Sequence, residues 1–85
     1  MGIAEDFEKA SKDALDLPAT TTDGDKLILY GLFKQATVGD CNTSRPGFLD
    51  LKGKAKWDAW NALKGKSKEE AMQDYITKVT QLQEA

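Results

Sequence analysis

Residues 30–40 read YGLFKQATVGD and residues 53–60 read GKAKWDAW, and the fold can be predicted outward from these two stretches. The first belongs to a helix predicted from about Asp23 to Val38, whose side chains are apolar almost all round. Such a helix should be contacted on more than one side. The second stretch belongs to another helix, predicted from about Gly53 to Leu63, on which lysines stand beside tryptophans.

Each of these helices carries a basic and an aromatic residue one turn apart. Tyr30 and Lys34 are spaced i and i+4, and so are Lys56 and Trp60, so each pair shares a helix face. Ammonium and phenol groups donate hydrogen bonds to phosphate oxygens, and flat rings suit a purine or an apolar chain. We predict that Trp60 is in the core and that Trp57 is nearer the surface.

Gly31 lies inside the second helix, where glycine costs about 1 kcal/mol relative to alanine. Two interpretations fit this position equally. Gly31 allows close approach of another backbone or of a ligand, or it only relieves crowding between helices.

Two further helices complete the pattern. The first has an apolar face of residues spaced by three and four, and Pro18 should end it: Ile3, Phe7, Ala10, Ala14 and Leu17. The last should begin at a capping box, with Ser67 as N-cap and Glu70 reaching back. Its predicted apolar face comprises Met72, Tyr75, Ile76, Val79 and Leu82.

The connection from Gly39 to Lys52 is long for a helical bundle and contains a Pro46-Gly47 turn. Phe48, Leu49 and Leu51 are apolar, so we predict an ordered loop that folds over the bundle. A functional loop and a simple overhand crossing are both consistent with this length. The pattern as a whole predicts an all-α antiparallel four-helix bundle in a single domain over residues 1–85.

Composition predicts a cytoplasmic monomer with no stable membrane insertion. The 85 residues are 40% hydrophobic and 31% charged, and no apolar run approaches the length of about 20 residues that a membrane span needs. The single cysteine fits a reducing compartment. The net charge is −2, but residues 45–68 hold seven basic and two acidic side chains. This local positive field should attract a small anion.

The sequence favours binding over catalysis. It contains no histidine, Cys41 has no base near it in sequence, and the carboxylates form no acid and base pair or metal-ligand cluster. We therefore predict no enzyme, no cofactor and no metal. Two rival functions are a protein-interaction module using Trp57 and the long loop, and a nucleic-acid binder. The acidic overall charge and the lack of a recognition motif argue against nucleic acid as a partner of the basic patch Lys52, Lys54, Lys56, Lys64 and Lys66.

At these residues the sequence resembles the acyl-coenzyme A (acyl-CoA)-binding protein family over nearly the whole chain. The resemblance rests on several blocks in order and with matched spacing: residues 30–40, Arg45-Pro46-Gly47, residues 53–60, Leu63-Lys64-Gly65, Tyr75-Ile76 and Val79. It implies four helices running up, down, down and up, with the long crossing after the second. It also implies a single acyl-CoA-binding domain that carries fatty acyl-CoA thioesters.

The resemblance also implies which residues contact the ligand. Tyr30, Lys34 and Lys56 would hold the 3′-phosphate and neighbouring parts of the nucleotide, and Tyr75 would pack against the adenosine end. Phe33 stands where many members have tyrosine, so it would keep the stacking on adenine and lose a hydroxyl contact.

The acyl tail would lie in a groove near Phe7, Ala10, Leu27 and Tyr30. Besides Phe33, two further positions at the predicted site depart from the family pattern. Leu15 replaces a lysine that some members place at the head group, and Lys26 replaces an apolar residue that some place near the acyl chain.

Overall fold

The structure, a computed structural model, describes residues 2–84. It contains four helices, α1 (Ile3–Asp13), α2 (Asp23–Thr37), α3 (Leu51–Asn61) and α4 (Lys68–Glu84), and a short 3-10 turn at Ala14–Asp16. None of the described residues forms a strand, which confirms the all-α prediction. No helix within residues 2–84 is long and apolar enough to cross a membrane.

Side-chain caps fix where three of the helices begin. The Thr22 hydroxyl accepts a hydrogen bond from the Asp25 amide at 3.1 Å. The predicted capping box at α4 is confirmed, since Ser67 Oγ accepts from the Glu70 amide at 3.1 Å and Glu70 Oε1 accepts from the Ser67 amide at 3.3 Å. Each bond satisfies an amide that has no partner inside its helix.

Two predicted boundaries were wrong by about a turn or less. The third helix begins at Leu51 instead of Gly53, because Asp50 caps it by accepting from the Gly53 amide at 2.9 Å. The first α-helix ends at Asp13, and the chain tightens into the 3-10 turn before Leu17 becomes extended. Pro18 imposes that extended conformation on the residue before it, as predicted, and 3-10 turns are common at helix ends.

The helices α2 and α3 lie side by side and run in the same direction. Leu27 and Leu51 line one cavity near their first turns, and Gly31 lies against Ala59 further along both helices. The simple antiparallel prediction is therefore wrong for this pair. The long crossing between the two helices, residues 38–50, returns the chain to the end at which α2 began.

The other two helices run opposite to α2. Asp25 near the start of α2 forms a 2.9 Å ion pair with Lys78 late in α4. In α1, Phe7 meets Phe33 near the end of α2, with 5.7 Å between ring centroids. The order is thus up, down, down and up, as the family resemblance implied.

The core forms where α2 and α4 pack together, with α1 on α4 and α3 on α2. It is a continuous cluster of buried side chains: Phe7, Ala10, Leu29, Leu32, Ala36, Ala71, Tyr75, Val79 and Leu82. Ala14, Leu17, Met72 and Ile76 pack against it, so the predicted face of α4 is confirmed, as is that of the first helix except for Ile3, which is half-buried and outside the cluster. Trp60 is buried and Trp57 half-buried, also as predicted.

The long crossing is held by polar contacts. Trp60 Nε1 donates to the Gly39 carbonyl at 2.8 Å, and Trp57 Nε1 donates to the Thr43 carbonyl at 2.9 Å. The loop predicted to be ordered is thus anchored to α3, but the apolar residues from which we predicted that it folds over the bundle do not pack there, and that part of the prediction was wrong. The exposed fractions are 78% for Phe48, 85% for Leu49 and 72% for Leu51.

A polar junction joins the end of α2 to the link between α3 and α4. Gln35 is fully buried, and its Nε2 donates to Asp40 Oδ1 at 2.8 Å and to the Lys66 carbonyl at 2.7 Å. Asp40 Oδ1 also accepts from the Gly65 amide at 2.8 Å. These two hydrogen bonds, that from Gly65 foremost, hold the pKa of the Asp40 carboxyl below its ordinary value of 3.8.

We therefore expect Asp40→Asn to alter how stability depends on pH. A depressed pKa in the folded state adds stability that is present above the unfolded pKa and is lost as pH falls through the folded value. The difference in urea midpoint between wild type and Asp40→Asn should shrink as pH is lowered from about 6 to about 3. Asp16→Asn, which removes an exposed carboxylate without a hydrogen bond inside residues 2–84, is the matched control. A constant difference would show that the Asp40 charge does not stabilise the junction.

Candidate functional site

Tyr30 stands where three cavities meet. The first, which we name the α1 groove, has a volume of about 410 Å³ and is lined by Ala14, Leu15, Leu17, Pro18, Ala19, Thr21, Lys26, Leu29, Tyr30, Phe33 and Tyr75. The second, the α3 groove, has a volume of about 400 Å³ and is lined by Asp23, Lys26, Leu27, Tyr30, Leu51, Lys52, Ala55 and Lys56. Both volumes lie in the range of small-molecule sites.

The third cavity, the loop pocket, lies between the long crossing and the helices and measures about 300 Å³. It is lined by Tyr30, Lys34, Thr43, Ser44, Pro46, Gly53, Lys56, Trp57 and Trp60. Lys56 lines this pocket and the α3 groove, so its ammonium group is placed near the boundary between them.

The close contact between α2 and α3 depends on Gly31. A Cβ at this position would lie 2.6 Å from the Ala59 carbonyl oxygen and 2.9 Å from its carbon. Of the two interpretations left open by the sequence, close approach of another backbone is the one observed. Because the helices touch here, Tyr30 and Lys34 on one side face Lys56 and Trp60 on the other.

The two lysines lie over aromatic rings. Lys56 Nζ is 5.5 Å from the centroid of the Tyr30 ring, and Lys34 Nζ is 5.0 Å from the Trp60 ring. Neither ammonium has a carboxylate partner within 4.0 Å among residues 2–84. Cation–π contacts hold these charges in position without neutralising them. The pair is therefore suited to an anion.

An aromatic cluster lies on the other side of Tyr30. Tyr75 packs edge-on against Phe7 with ring centroids 5.1 Å apart, and Phe33 is 6.2 Å from Tyr75. Phe33 is 39% exposed and lines the α1 groove, so part of its ring is open to a ligand. Burial raises the pKa of the Tyr75 phenol, which therefore stays neutral at physiological pH. This side of the site offers flat, uncharged surface.

The structure brings together all five residues predicted for the head group, but it does not group the three predicted for the acyl chain. Leu27 lines the α3 groove. Phe7 and Ala10 are buried in the core, and Ala10 lines a separate cavity of about 210 Å³ between α1 and α4. The reason is geometric: α1 packs on α4, whereas Leu27 points toward α3.

Residues of the long crossing and of α3 were missed. Leu51 and Ala55 line the α3 groove opposite Leu27, and Thr43 and Ser44 line the loop pocket. A signal for the first pair was present, because Leu51 and Ala55 are spaced i and i+4 on one helix face. No comparable pattern exists for the loop residues, whose position depends on the indole hydrogen bonds.

The two departures from the family pattern also lie at the grooves. Leu15 lines the α1 groove and is 85% exposed, so it offers an apolar surface where a charge was expected. Lys26 lines both the α1 and the α3 groove. Within residues 2–84, no three His, Cys, Asp or Glu side chains are grouped as metal ligands.

The arrangement can bind an amphiphile that carries a phosphate. The ammonium groups of Lys34 and Lys56, which have no carboxylate partner among residues 2–84, and the phenol of Tyr30 lie between the α3 groove and the aromatic surface at α1. A ligand that spanned these surfaces would need an anionic group close to a flat ring and to an aliphatic chain.

The chain is similar to proteins whose names state such a ligand. A family model described as "Acyl CoA binding protein" matches residues 4–79. Acyl-CoA-binding domain-containing protein 3 of Oryza sativa subsp. japonica is 66% identical over 84 residues, covering 99% of this chain and 54% of the relative. The chain thus spans about half the length of that relative. Acyl-CoA-binding domain-containing protein 1 of the same organism is 63% identical over 84 residues, covering 99% of this chain and 92% of the relative.

A solved structure has the same fold over nearly its whole length. The crystal structure of Oryza sativa acyl-CoA-binding protein 2 aligns with a TM-score of 0.95 and 60% sequence identity, covering 98% of this chain and 92% of that one.

Proposed function

The chain belongs to the acyl-CoA-binding protein family, and from this premise we propose that it binds fatty acyl-CoA thioesters without transforming them. The proposal extends to a carrier that transports medium- to long-chain esters and holds a pool of them in the cytoplasm as a monomer. One observation supports it above the others. Tyr30 and Lys56 line both the loop pocket, where Lys34 adds a second ammonium group, and the α3 groove, where Leu27, Leu51 and Ala55 add apolar surface.

The proposed ligand would be divided among the three cavities. Its 3′-phosphate would accept hydrogen bonds from Tyr30, Lys34 and Lys56 at the loop pocket. Adenine would stack on Phe33, with the adenosine end against Tyr75 in the α1 groove. These assignments use groups that are close together and unpaired by carboxylates among residues 2–84.

The acyl chain would enter the α3 groove between α2 and α3. Leu27, Leu51 and Ala55 supply its apolar lining, and the aliphatic stems of Lys26 and Lys52 would extend it. Phe7 and Ala10, which were also predicted to contact the acyl chain, would support the site indirectly by packing α1 against α4 in the core. The ammonium of Lys26 near the groove would influence the preferred chain length.

The acyl tail should supply most of the binding free energy, and the nucleotide should supply the specificity for CoA esters. Each methylene removed from water contributes about 0.8 kcal/mol, so ten would give up to about 8 kcal/mol before losses. A few partly exposed lysine–phosphate contacts should give less than that. Specificity would still reside in the head group, because any long chain can fill an apolar groove.

Isothermal titration calorimetry with three ligands tests this division. We expect palmitoyl-CoA to bind at least about 100-fold more tightly than either palmitate or free CoA, since palmitate lacks the nucleotide and CoA lacks the apolar chain. Palmitate that bound as tightly as palmitoyl-CoA would contradict the proposal. Native mass spectrometry of protein purified from cells would test which chain lengths are carried, because the mass of a co-purified thioester gives the length of its acyl chain.

A further inference from the structure

Three apolar side chains face outward where the long crossing ends and α3 begins. We name Phe48, Leu49 and Leu51 the apolar tip; they are 78%, 85% and 72% exposed. Phe48 and Leu49 line none of the three cavities at Tyr30. Adjacent large apolar residues left in water are a common mark of an interaction surface.

The chain around the apolar tip is strongly basic. Residues 45–57 contain four basic side chains and one acidic one, Asp50, whose carboxylate caps α3. Arg45 is paired with Asp58 through two 2.9 Å hydrogen bonds. The charges of Lys52, Lys54 and Lys56 have no carboxylate within 4.0 Å in the part of the chain that the structure describes. The surface around the tip therefore keeps its positive charge.

We propose that the apolar tip docks on the surface of an anionic lipid bilayer. Phenylalanine and leucine would enter the boundary between head groups and acyl chains, and the lysines would meet the anionic head groups. This combination distinguishes a bilayer from a protein groove, which would not require the surrounding positive charge. Peripheral docking of this kind needs no membrane-spanning helix.

The apolar tip adjoins the α3 groove, so docking would aid transfer of the acyl chain between membrane and protein; this role rests on the proposed function. Leu51 belongs to the apolar tip and also lines the α3 groove, together with Lys52. A docked molecule would therefore hold the mouth of this groove against the bilayer, where long-chain thioesters partition. An acyl chain could then pass between membrane and groove with little apolar surface exposed to water.

Leu15 provides a matched comparison within the same molecule. It is 85% exposed, as Leu49 is, but it lies between Asp13 and Asp16. An anionic surface would repel these carboxylates. Exposure alone predicts that both leucines bind lipid, whereas charge complementarity predicts that only Leu49 does.

Co-sedimentation of the ligand-free protein with vesicles tests the docking. We expect binding to vesicles of phosphatidylcholine with about one-fifth phosphatidylserine, no binding to pure phosphatidylcholine, and release at about 0.5 M salt. Phe48→Ser/Leu49→Ser should bind the anionic vesicles at least about tenfold more weakly, and Leu15→Ser within about twofold of wild type. Circular dichroism and calorimetric binding of palmitoyl-CoA should be unchanged in Phe48→Ser/Leu49→Ser.

Several outcomes would overturn the docking. One is a wild-type protein that does not bind anionic vesicles, and another is an equal loss of vesicle binding in Phe48→Ser/Leu49→Ser and Leu15→Ser. A third is a dimer, detected by sedimentation velocity, that Phe48→Ser/Leu49→Ser abolishes and Leu15→Ser does not. The last would identify a second copy of the chain as the occupant. Failure of the proposed function is separable, since a protein that binds vesicles but not palmitoyl-CoA would overturn that function and leave the docking standing.

Discussion

Replacing Gly31 with alanine is expected to lower the free energy of unfolding by about 2 kcal/mol or more, a large fraction of what a small domain has. The new methyl would lie 2.6 Å from the Ala59 carbonyl oxygen. Because the methyl is fixed to the backbone of α2 and the oxygen belongs to the backbone of α3, the clash can be relieved only if a helix shifts. Overpacking typically costs about 1–3 kcal/mol, and here we expect at least about 3 kcal/mol because the neighbouring atoms belong to a helix backbone. The gain in helix propensity, about 1 kcal/mol, offsets only part of it.

The measurement is thermal or urea unfolding of Gly31→Ala beside Gly24→Ala. Gly24 lies in the first turn of the same helix, and a Cβ there would meet only the Thr22 hydroxyl oxygen, at 3.8 Å. The control should be neutral or slightly stabilising, while Gly31→Ala should lower the midpoint temperature by at least about 8 °C. Equal behaviour of the two variants would show that the α2–α3 contact tolerates a methyl group.

The same substitution should also weaken ligand binding, because it would push apart the two helices that carry the proposed anion site. Tyr30 and Lys56 are 5.5 Å apart from ring centroid to Nζ only while the helices touch. We therefore expect Gly31→Ala to affect both stability and binding, although Gly31 lines none of the three cavities.

Local features of the fold were predictable from the sequence. The capping box at Ser67 and Glu70 depends on residues three apart, and the buried face of α4 depends on spacing within one helix. The burial of Trp60 also followed, since so large a side chain contributes most when it is removed from water. Each of these features is set by neighbours along the chain.

Features set by neighbours in space were less accessible. The sequence pattern predicted an antiparallel arrangement, which was wrong for α3, and only the resemblance to known proteins implied that α3 runs parallel to α2. The exposure of Phe48 and Leu49 had no local signal, because apolar residues in a loop are as easily expected to pack inward. Leu51 and Ala55 share a helix face, but their place in the α3 groove depends on Leu27 of another helix.

The candidate site was predictable in its chemistry and less so in its geometry. Tyr30, Lys34 and Lys56 were selected from their types and spacing, and the structure brings them to one pocket. Phe7 and Ala10 were selected as apolar neighbours of a groove, yet both are buried away from Leu27. Their contact with an acyl chain stays a prediction.

Lys56→Ala is expected to weaken palmitoyl-CoA binding by about 10- to 100-fold, the value of one charged hydrogen bond to phosphate. Thermal stability should be nearly unchanged, since Lys56 is exposed and its ammonium has no carboxylate within 4.0 Å among residues 2–84. Lys54→Ala is the matched control, because Lys54 is two residues away on α3 and lines none of the three cavities. Its dissociation constant should match that of wild type.

Truncating the ligand identifies the atom that Lys56 contacts. Palmitoyl-dephospho-CoA lacks the 3′-phosphate. If Lys56 contacts that phosphate, replacing Lys56 should cause little further loss of affinity for this ligand. We expect Lys56→Ala to weaken binding of the truncated ligand by less than about threefold, far less than for the complete one, and calorimetry of the four combinations gives this coupling directly. Equal losses with both ligands would assign Lys56 to another part of the head group. An unaltered dissociation constant for palmitoyl-CoA would exclude Lys56 from the site, and with it the junction of charge and apolar surface that supports the proposed function.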